Sequence, residues 1–376
     1  MRVRELTPDD VEQADRLRRV AFGGVGEPSL RPGRRGLLAE VDGRAAGVLT
    51  ITGFHQFWGG STVPMGGVGG VAVDPSARGR GVGGALLDAA LRDMRDHGQA
   101  VSALYATVPA VYRSRGWDAG GVFEWLEFPL DRMPAGEPVA ARPVEEGDLP
   151  ALHACYTDLA STVNGLIDRS APAVDVADVL RLDVASVVPG HDGEVRGYLT
   201  ASRGRDGLRV HDLVGRDRAT QLGLLRQLGS WAGVLDRARV RVTDPAVTGL
   251  LTNQAIEHAV TTSVWLLRVV DLPAAVAARG WPAAAWLKPA AVDLEVVDEH
   301  APWHAGRQRL VVEDGAVRVE PGGSGAVRLH ARALGPWFGG MHDSHALRRA
   351  GLLDGDGALL DRLVGAPGVP RLADWF

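Results

Sequence analysis

The chain repeats itself, and the repeat limits its fold more than any single motif does. Residues 37–52 read LLAEVDGRAAGVLTIT and residues 187–202 read VVPGHDGEVRGYLTAS, with an Asp-Gly pair, a following glycine and a Leu-Thr pair in register. Asp42-Gly43 and Asp192-Gly193 each stand between apolar runs, which is the pattern of a two-residue hairpin turn. The opening of the chain, a short strand, an acidic turn and then apolar Val11, Ala14 and Leu17 at helical spacing, returns as ARPVEEGDLPALHACYTDLA over 141–160. The copies lie a domain's length apart, so they are two copies of one mixed α/β unit and not a short-period solenoid. A chain of 376 residues, more than twice the roughly 150 of one domain, has room for a third unit.

That third unit begins where the grammar changes. From Pro282, AAVDLEVVDEHAP, RQRLVVEDGAVRVEPG and AVRLHARAL read as antiparallel strands with a turn at Glu313-Asp314-Gly315, helical stretches follow, and the chain closes on VPRLADWF. A tail rich in Trp and Phe is expected to dock on the body of the protein. The expected layout is 1–132, 133–281 and 282–376.

The chemistry concentrates in the first copy. Val71 to Leu87, VAVDPSARGRGVGGALL, runs from a strand through a glycine-rich loop into an amphipathic helix. Glycines let backbone N–H groups converge on a diphosphate, the helix N-terminus adds partial positive charge, and Arg78 and Arg80 add full charges. The loop is no P-loop, because no Gly-Lys-Ser/Thr follows, and no Rossmann fingerprint, because it is not the first βα turn. The second copy has RDRATQLG at 216–223 in its place, without the glycines, so only the first copy is expected to bind.

With these residues in hand, the N-terminal third resembles the GNAT acetyl-coenzyme A dependent N-acetyltransferases, whose R/Q-x-x-G-x-G/A signature is matched by Arg78, Gly81 and Gly83. The resemblance is closest to the enhanced intracellular survival (Eis) branch, and it covers essentially the whole chain. VAVDPSARGRG, AVYRSRGWDAG at 110–120, and a third domain that starts near DLPAAVAARGW and ends on an aromatic residue carry it. It implies an α/β protein of mixed sheets, with tandem GNAT folds of which the second is degenerate. A C-terminal α+β domain similar to sterol carrier proteins follows, and the assembly is a homohexamer.

What the resemblance implies for single residues follows from the matched positions. Val71 and Val73 fall on the strand whose backbone holds the pantetheine arm, and Arg78, Gly79, Arg80, Gly81, Val82 and Gly83 on the pyrophosphate loop. Tyr112 matches the family's general acid, and the α-carboxylate of Phe376 its general base. A phenol of pKa near 10 suits protonation of a departing thiolate, and a carboxylate can take the proton an attacking ammonium must lose. The amine pocket departs from the family's pattern: Phe22 is kept, but Gly24, Val25, Val108 and Trp375 stand where acids or other aromatics belong. Glu27, Trp58, Asp374 and Trp375 are the candidate replacements in substrate binding, and the acceptor is a primary amine of a small molecule or peptide, of aminoglycoside or lysine type.

Composition narrows the partners. Forty-one basic and 46 acidic residues leave a net charge of −5, which disfavours nucleic acid. One cysteine, Cys155, forbids an intrachain disulfide and points to a reducing compartment, the cytoplasm. No targeting segment and no apolar run near the ~18 residues of a membrane span is expected. His300/His304 and His342/His345 have helical spacing without a HExxH context, so a metal is not expected. Two readings of function stay open: an acetyl-CoA dependent N-acetyltransferase, or a lipid-binding protein with a vestigial acetyltransferase domain.

Overall fold

The computed structural model describes residues 1–24, 30–134, 136–191, 193–252, 259–365 and 368–376. The first repeat builds β1 (Arg2–Glu5), helix α1 (Val11–Phe22), β2 (Arg34–Val41), β3 (Arg44–Trp58), β4 (Ser61–Val73), α2 (Val82–Asp96), β5 (Val101–Leu104), α3 (Pro109–Arg113) and β6 (Asp118–Pro129). The β2–β3 hairpin turns on Asp42 and Gly43, both at positive φ (53° and 74°), as a two-residue turn between twisted strands requires. The second repeat gives β7 (Arg142–Pro143), α4 (Leu149–Ala160), β8 (Ile167–Asp168), β9 (Val184–Pro189), β10 (Val195–Arg203), β11 (Gly207–Gly215), α5 (Arg218–Gly229), β12 (Arg237–Arg241), α6 (Pro245–Thr252) and β13 (Ala259–Val269). Of its hairpin turn, Gly193 has φ 80° and Asp192 lies outside the described residues.

The two repeats do not stand side by side; they exchange their last strands. Among the described residues one sheet runs β1-β2-β3-β4-β5-β13-β6-β12-β11-β10-β9-β7, with β8 beside β3. The second repeat's β13 pairs with β5 of the first, Leu266 opposite Leu104, and the first repeat's β6 pairs with β12 of the second, Leu126 opposite Val240. Neither half-sheet is complete without a strand from the other, so the repeats form one continuous sheet.

The remaining residues form α7 (Leu272–Ala278), β14 (Ala290–Val297), β15 (Gly306–Glu313), β16 (Ala316–Pro321), β17 (Val327–His330), α8 (Ala331–Gly339), α9 (Ser344–Arg349), β18 (Leu353–Asp354) and α10 (Ala358–Val364). Their sheet runs β16-β15-β14-β17-β18. Its inner face, with Leu294, Val296, Leu310, Val327 and Leu329, closes on Leu334, Phe338, Leu360 and Leu363 of α8 and α10, all buried. The same apolar cluster continues into the large sheet: Trp58 of β3 meets Phe338 at 5.4 Å and Trp265 of β13 at 6.2 Å between ring centroids.

A buried charged cluster fastens this joint. Arg268 of β13 and Asp298, both with fully buried side chains, form an ion pair, and Asp298 also accepts from His304 Nε2 at 2.8 Å. His304 Nδ1 accepts from the Leu272 amide at 3.0 Å, so the ring is neutral and structural. His304 is buried, and the amide it accepts from lies 32 residues away in the sequence. Among the described residues no helix is long and apolar enough to cross a membrane, and no group of three or more His, Cys, Asp or Glu could hold a metal.

Candidate active site

The glycine loop is shaped as a cradle. Asp74 ends β4 and accepts from the Ser76 amide and hydroxyl, at 2.9 and 2.7 Å, which turns the chain out of the sheet. Gly79 and Gly81 then take φ 76° and 80°, a left-handed conformation that side chains resist, and a Cβ on either would meet nothing within 4 Å. Gly81 caps α2 with no side chain on its first amides, which as the first turn of a helix have no intrahelical acceptor. Arg78 and Arg80 are exposed beside them, Arg80 reaching Asp42 at 3.2 Å. Donors, open space and the positive end of a helix fit a diphosphate.

The second repeat closes the corresponding helix. Asp217 caps α5 by accepting from the Thr220 amide at 2.8 Å and is itself held by Arg196 at 2.7 Å. A carboxylate already occupies the place an anion would take.

Strand β4 opens beside the cradle. It pairs with β5 only from Met65 to Gly67, and Val68–Val73 continue with β3 alone, bulged between Gly69 and Ala72. Val71 and Val73 lie half-buried on this stretch. Val73 lies 3.8 Å from the place a Cβ on Gly83 would take, and Val111 of α3 lies 4.0 Å from it. Strand, helix and α3 thus converge on one cleft. α3 carries Tyr112 and is anchored by Trp117, which is fully buried and donates to Ser102 Oγ at 3.3 Å. The phenol is half-buried, and burial raises its pKa above the usual value near 10. Its hydroxyl takes no hydrogen bond among the described residues.

The C-terminus reaches the same strand. The tail crosses β6, Val122 accepting from Leu372 at 3.1 Å and donating to Pro370 at 2.8 Å. Leu372 and Ala373 are buried, and Tyr105 donates to the Asp374 carbonyl at 3.0 Å. Phe376 then lies along β4: a Cβ on Gly67 would be 2.6 Å from its ring, and one on Gly69 2.7 Å from its terminal oxygen. Phe54 packs on the same ring at 5.3 Å. The terminal carboxylate is therefore set against the splayed stretch of β4. Beside it a cavity of about 240 Å³ is lined by Arg18, Arg34, Thr50, Gly70, Trp375 and Phe376.

The comparisons decide the family. Residues 2–120 match the acetyltransferase (GNAT) domain and residues 272–372 the sterol carrier protein domain. An uncharacterized N-acetyltransferase of Streptomyces coelicolor is 31% identical over 93% of this chain and 94% of its own length. The chain belongs to the GNAT N-acetyltransferases. A GCN5-related N-acetyltransferase from Kribbella flavida shares the architecture at 28% identity and a TM-score of 0.86, over 100% of this chain and 98% of that one. Eis1 from Mycobacterium abscessus has the same fold, with a TM-score of 0.78 at 24% identity over the whole of both chains.

Within this acetyltransferase the residues singled out in the sequence separate into groups. Those of the cradle lie on β4, its loop and α2; Tyr112 flanks them on α3; Phe376 and Trp375 come from the far end of the chain. Trp375 is exposed and packs on Tyr105 with tilted rings, 4.1 Å between centroids. Phe22 ends α1, exposed, and does not line the cavity beside Phe376. Glu27 lies outside the described residues.

Sequence reasoning missed the receptor for the tail. Gly67 and Gly69, Tyr105, Arg169, Arg241 and Asp212 hold it: Arg241 donates to the Ala373 carbonyl, and Arg169 pairs with Asp374. One signal was available. A run such as MGGVGG inside a strand marks close approach by another backbone or a ligand.

Proposed function

We propose that this acetyltransferase moves the acetyl group of acetyl-coenzyme A directly to a primary amine of a small molecule or peptide within a ternary complex. The observation that carries the reading is the Phe376 carboxylate lying against Gly69, on the stretch of β4 that β5 leaves unpaired. Bound acetyl-coenzyme A supplies an activated acetyl thioester. Arg78, Gly79, Arg80, Gly81, Val82 and Gly83 hold its diphosphate, and the backbone of Val71 and Val73 holds its arm.

Tyr112 keeps its proton at neutral pH, because burial disfavours the phenolate, and delivers it to the leaving sulfur. The Phe376 carboxylate anchors the incoming ammonium and receives the proton it sheds. Phe22, Glu27 and Trp375 are assigned to the acceptor. The described lining of the cavity beside Phe376 carries two guanidinium groups and no acidic side chain, so a monoamine suits it better than a polycationic aminoglycoside. One cofactor per chain, a homohexamer and a cytoplasmic setting complete the proposal. The lipid-binding alternative is disfavoured because, among the described residues, the apolar faces of the sheet and helices of the sterol-carrier-like domain pack on one another.

The test is release of free thiol from acetyl-coenzyme A across a panel of monoamines, peptides and aminoglycosides. Amine-dependent release supports the reading. Its absence with every amine would leave the acetyltransferase fold without this activity.

A further inference from the structure

Three arginines deep in this fold sit beside carboxylates, and Arg279 differs from them. Arg268 has Asp298, and Arg169 and Arg241 share Asp212. Arg279, at the end of α7, is 4% exposed and has no acidic partner among the described residues. Its Nε donates to the Phe338 carbonyl at 3.2 Å and its Nη1 to Gly280 at 2.6 Å, while Nη2 takes no hydrogen bond among the described residues. Trp281 stacks on the guanidinium at 4.2 Å. The Phe338 carbonyl lies at the C-terminal end of α8, which offers at most about half a negative charge. Burial pulls the Arg279 pKa down to about 10, with no neighbouring carboxylate to hold it up. An uncompensated buried cation is costly, and native structures pair it.

Arg279 does not face solid protein. It lines a cavity of about 460 Å³ where the β3–β4 hairpin, the end of α4 and the end of α10 meet, a size suited to a small molecule. Two groups of the polar lining, Arg279 and Asn164, offer unspent donors. Asn164 uses its Oδ1 to accept from the Gly59 amide at 2.7 Å, which leaves its amide N–H groups for another partner. Ser161 and Thr162 donate back to their own helix, at 2.9 and 2.7 Å to Asp158 and Leu159. No acidic side chain is in the described lining.

We infer that this cavity is a binding site for a small molecule bearing a carboxylate or phosphate group, held by Arg279 and Asn164 and separate from the acetyl-transfer cleft. The oxyanion supplies the charge that Arg279 lacks, and a planar guanidinium receives such a group through two parallel hydrogen bonds.

The experiment is calorimetric titration of the full chain with inorganic phosphate and, separately, with succinate, which tells a phosphate from a carboxylate source. Saturable binding of at least one, with Kd of a few millimolar or below, is expected. Ala283→Glu is the decisive variant: Ala283 is half-buried in the same lining, and the substitution puts a tethered carboxylate beside Arg279. It should weaken binding at least tenfold without lowering the melting temperature, and Arg279→Gln should weaken it similarly. Because the glycine loop also attracts phosphate, Arg78→Ala is the control and should keep the binding. No saturable binding to the wild type, binding that Ala283→Glu leaves unchanged, or binding lost in Arg78→Ala would each overturn the site.

Discussion

Arg169 lies 3.0 Å from Asp374 and 2.6 Å from Asp212, so a residue of the second repeat ties down the tail just ahead of its terminal carboxylate. Asp212 also accepts from Arg241 at 3.0 Å, and Arg241 holds the Ala373 carbonyl. Burial alone would raise the Asp212 pKa, but the two guanidinium groups hold it well below the carboxylate range. The degenerate repeat thus supports the residue on which the proposed chemistry depends. Asp212→Ala takes from Arg241 its carboxylate and leaves Arg169 with Asp374 alone, and should cost about 3 to 5 kcal/mol, read as a lowered unfolding midpoint, with turnover falling alongside. An unchanged midpoint would show that the network contributes nothing to stability.

Cofactor affinity tests the cradle. Arg78→Ala should weaken acetyl-coenzyme A by about 1 to 3 kcal/mol, the range for hydrogen bonds to a charged group. Arg218→Ala, at the start of α5 in the second repeat, should leave affinity unchanged, because Asp217 already caps that helix. Calorimetry should also count one cofactor per chain; two would contradict the closed second site.

The receptor strand gives a conservative test. Gly69→Ala places a methyl carbon 2.7 Å from the Phe376 oxygen, closer than the two can stand, and should lower kcat at least tenfold while the protein stays folded. Wild-type turnover in this variant would detach the carboxylate from β4.

Stability should fall in mild acid through His304. Burial holds its pKa below the ordinary value near 6.5, although Asp298 accepts from it. The unfolded chain therefore takes up a proton near pH 6.5 that the folded chain refuses. This contribution is complete above pH 6.5 and is lost as pH falls from there through the lower folded value, with a slope of at most about 1.4 kcal/mol per pH unit. His304→Gln should flatten the melting temperature against pH between 6.5 and 5; a slope equal to the wild type's would exclude His304.

Much of this was legible locally. Asp42-Gly43 fixed a hairpin because few residues tolerate positive φ at both turn positions, and RGRGVGG announced a helix start without a side-chain cap. Loss of those glycines at 216–223 marked the second repeat as closed, and Asp217 is the group that closes it. The strand exchange was not legible. β6 and β13 are alike enough in pattern that only pairing across the whole chain decides which half each completes. Nor was the receptor for the tail, since Tyr105, Arg169 and Arg241 are ordinary residues until the fold brings them to Asp374 and Ala373.

The central claim is that the terminal carboxylate enters the reaction. Extending the chain beyond Phe376 turns that carboxylate into an amide and adds bulk beside β4, whereas an N-terminal extension leaves it alone. General-base assistance is worth about 10² to 10⁴ in rate. The direct measurement is kcat on any accepted amine for proteins extended at either end, with melting temperature and acetyl-coenzyme A affinity recorded in parallel. The account predicts that the C-terminally extended protein keeps its stability and cofactor affinity but loses about 99% or more of its turnover, the lower end of that range. Full turnover in that protein would contradict it and reduce Phe376 to a packing residue.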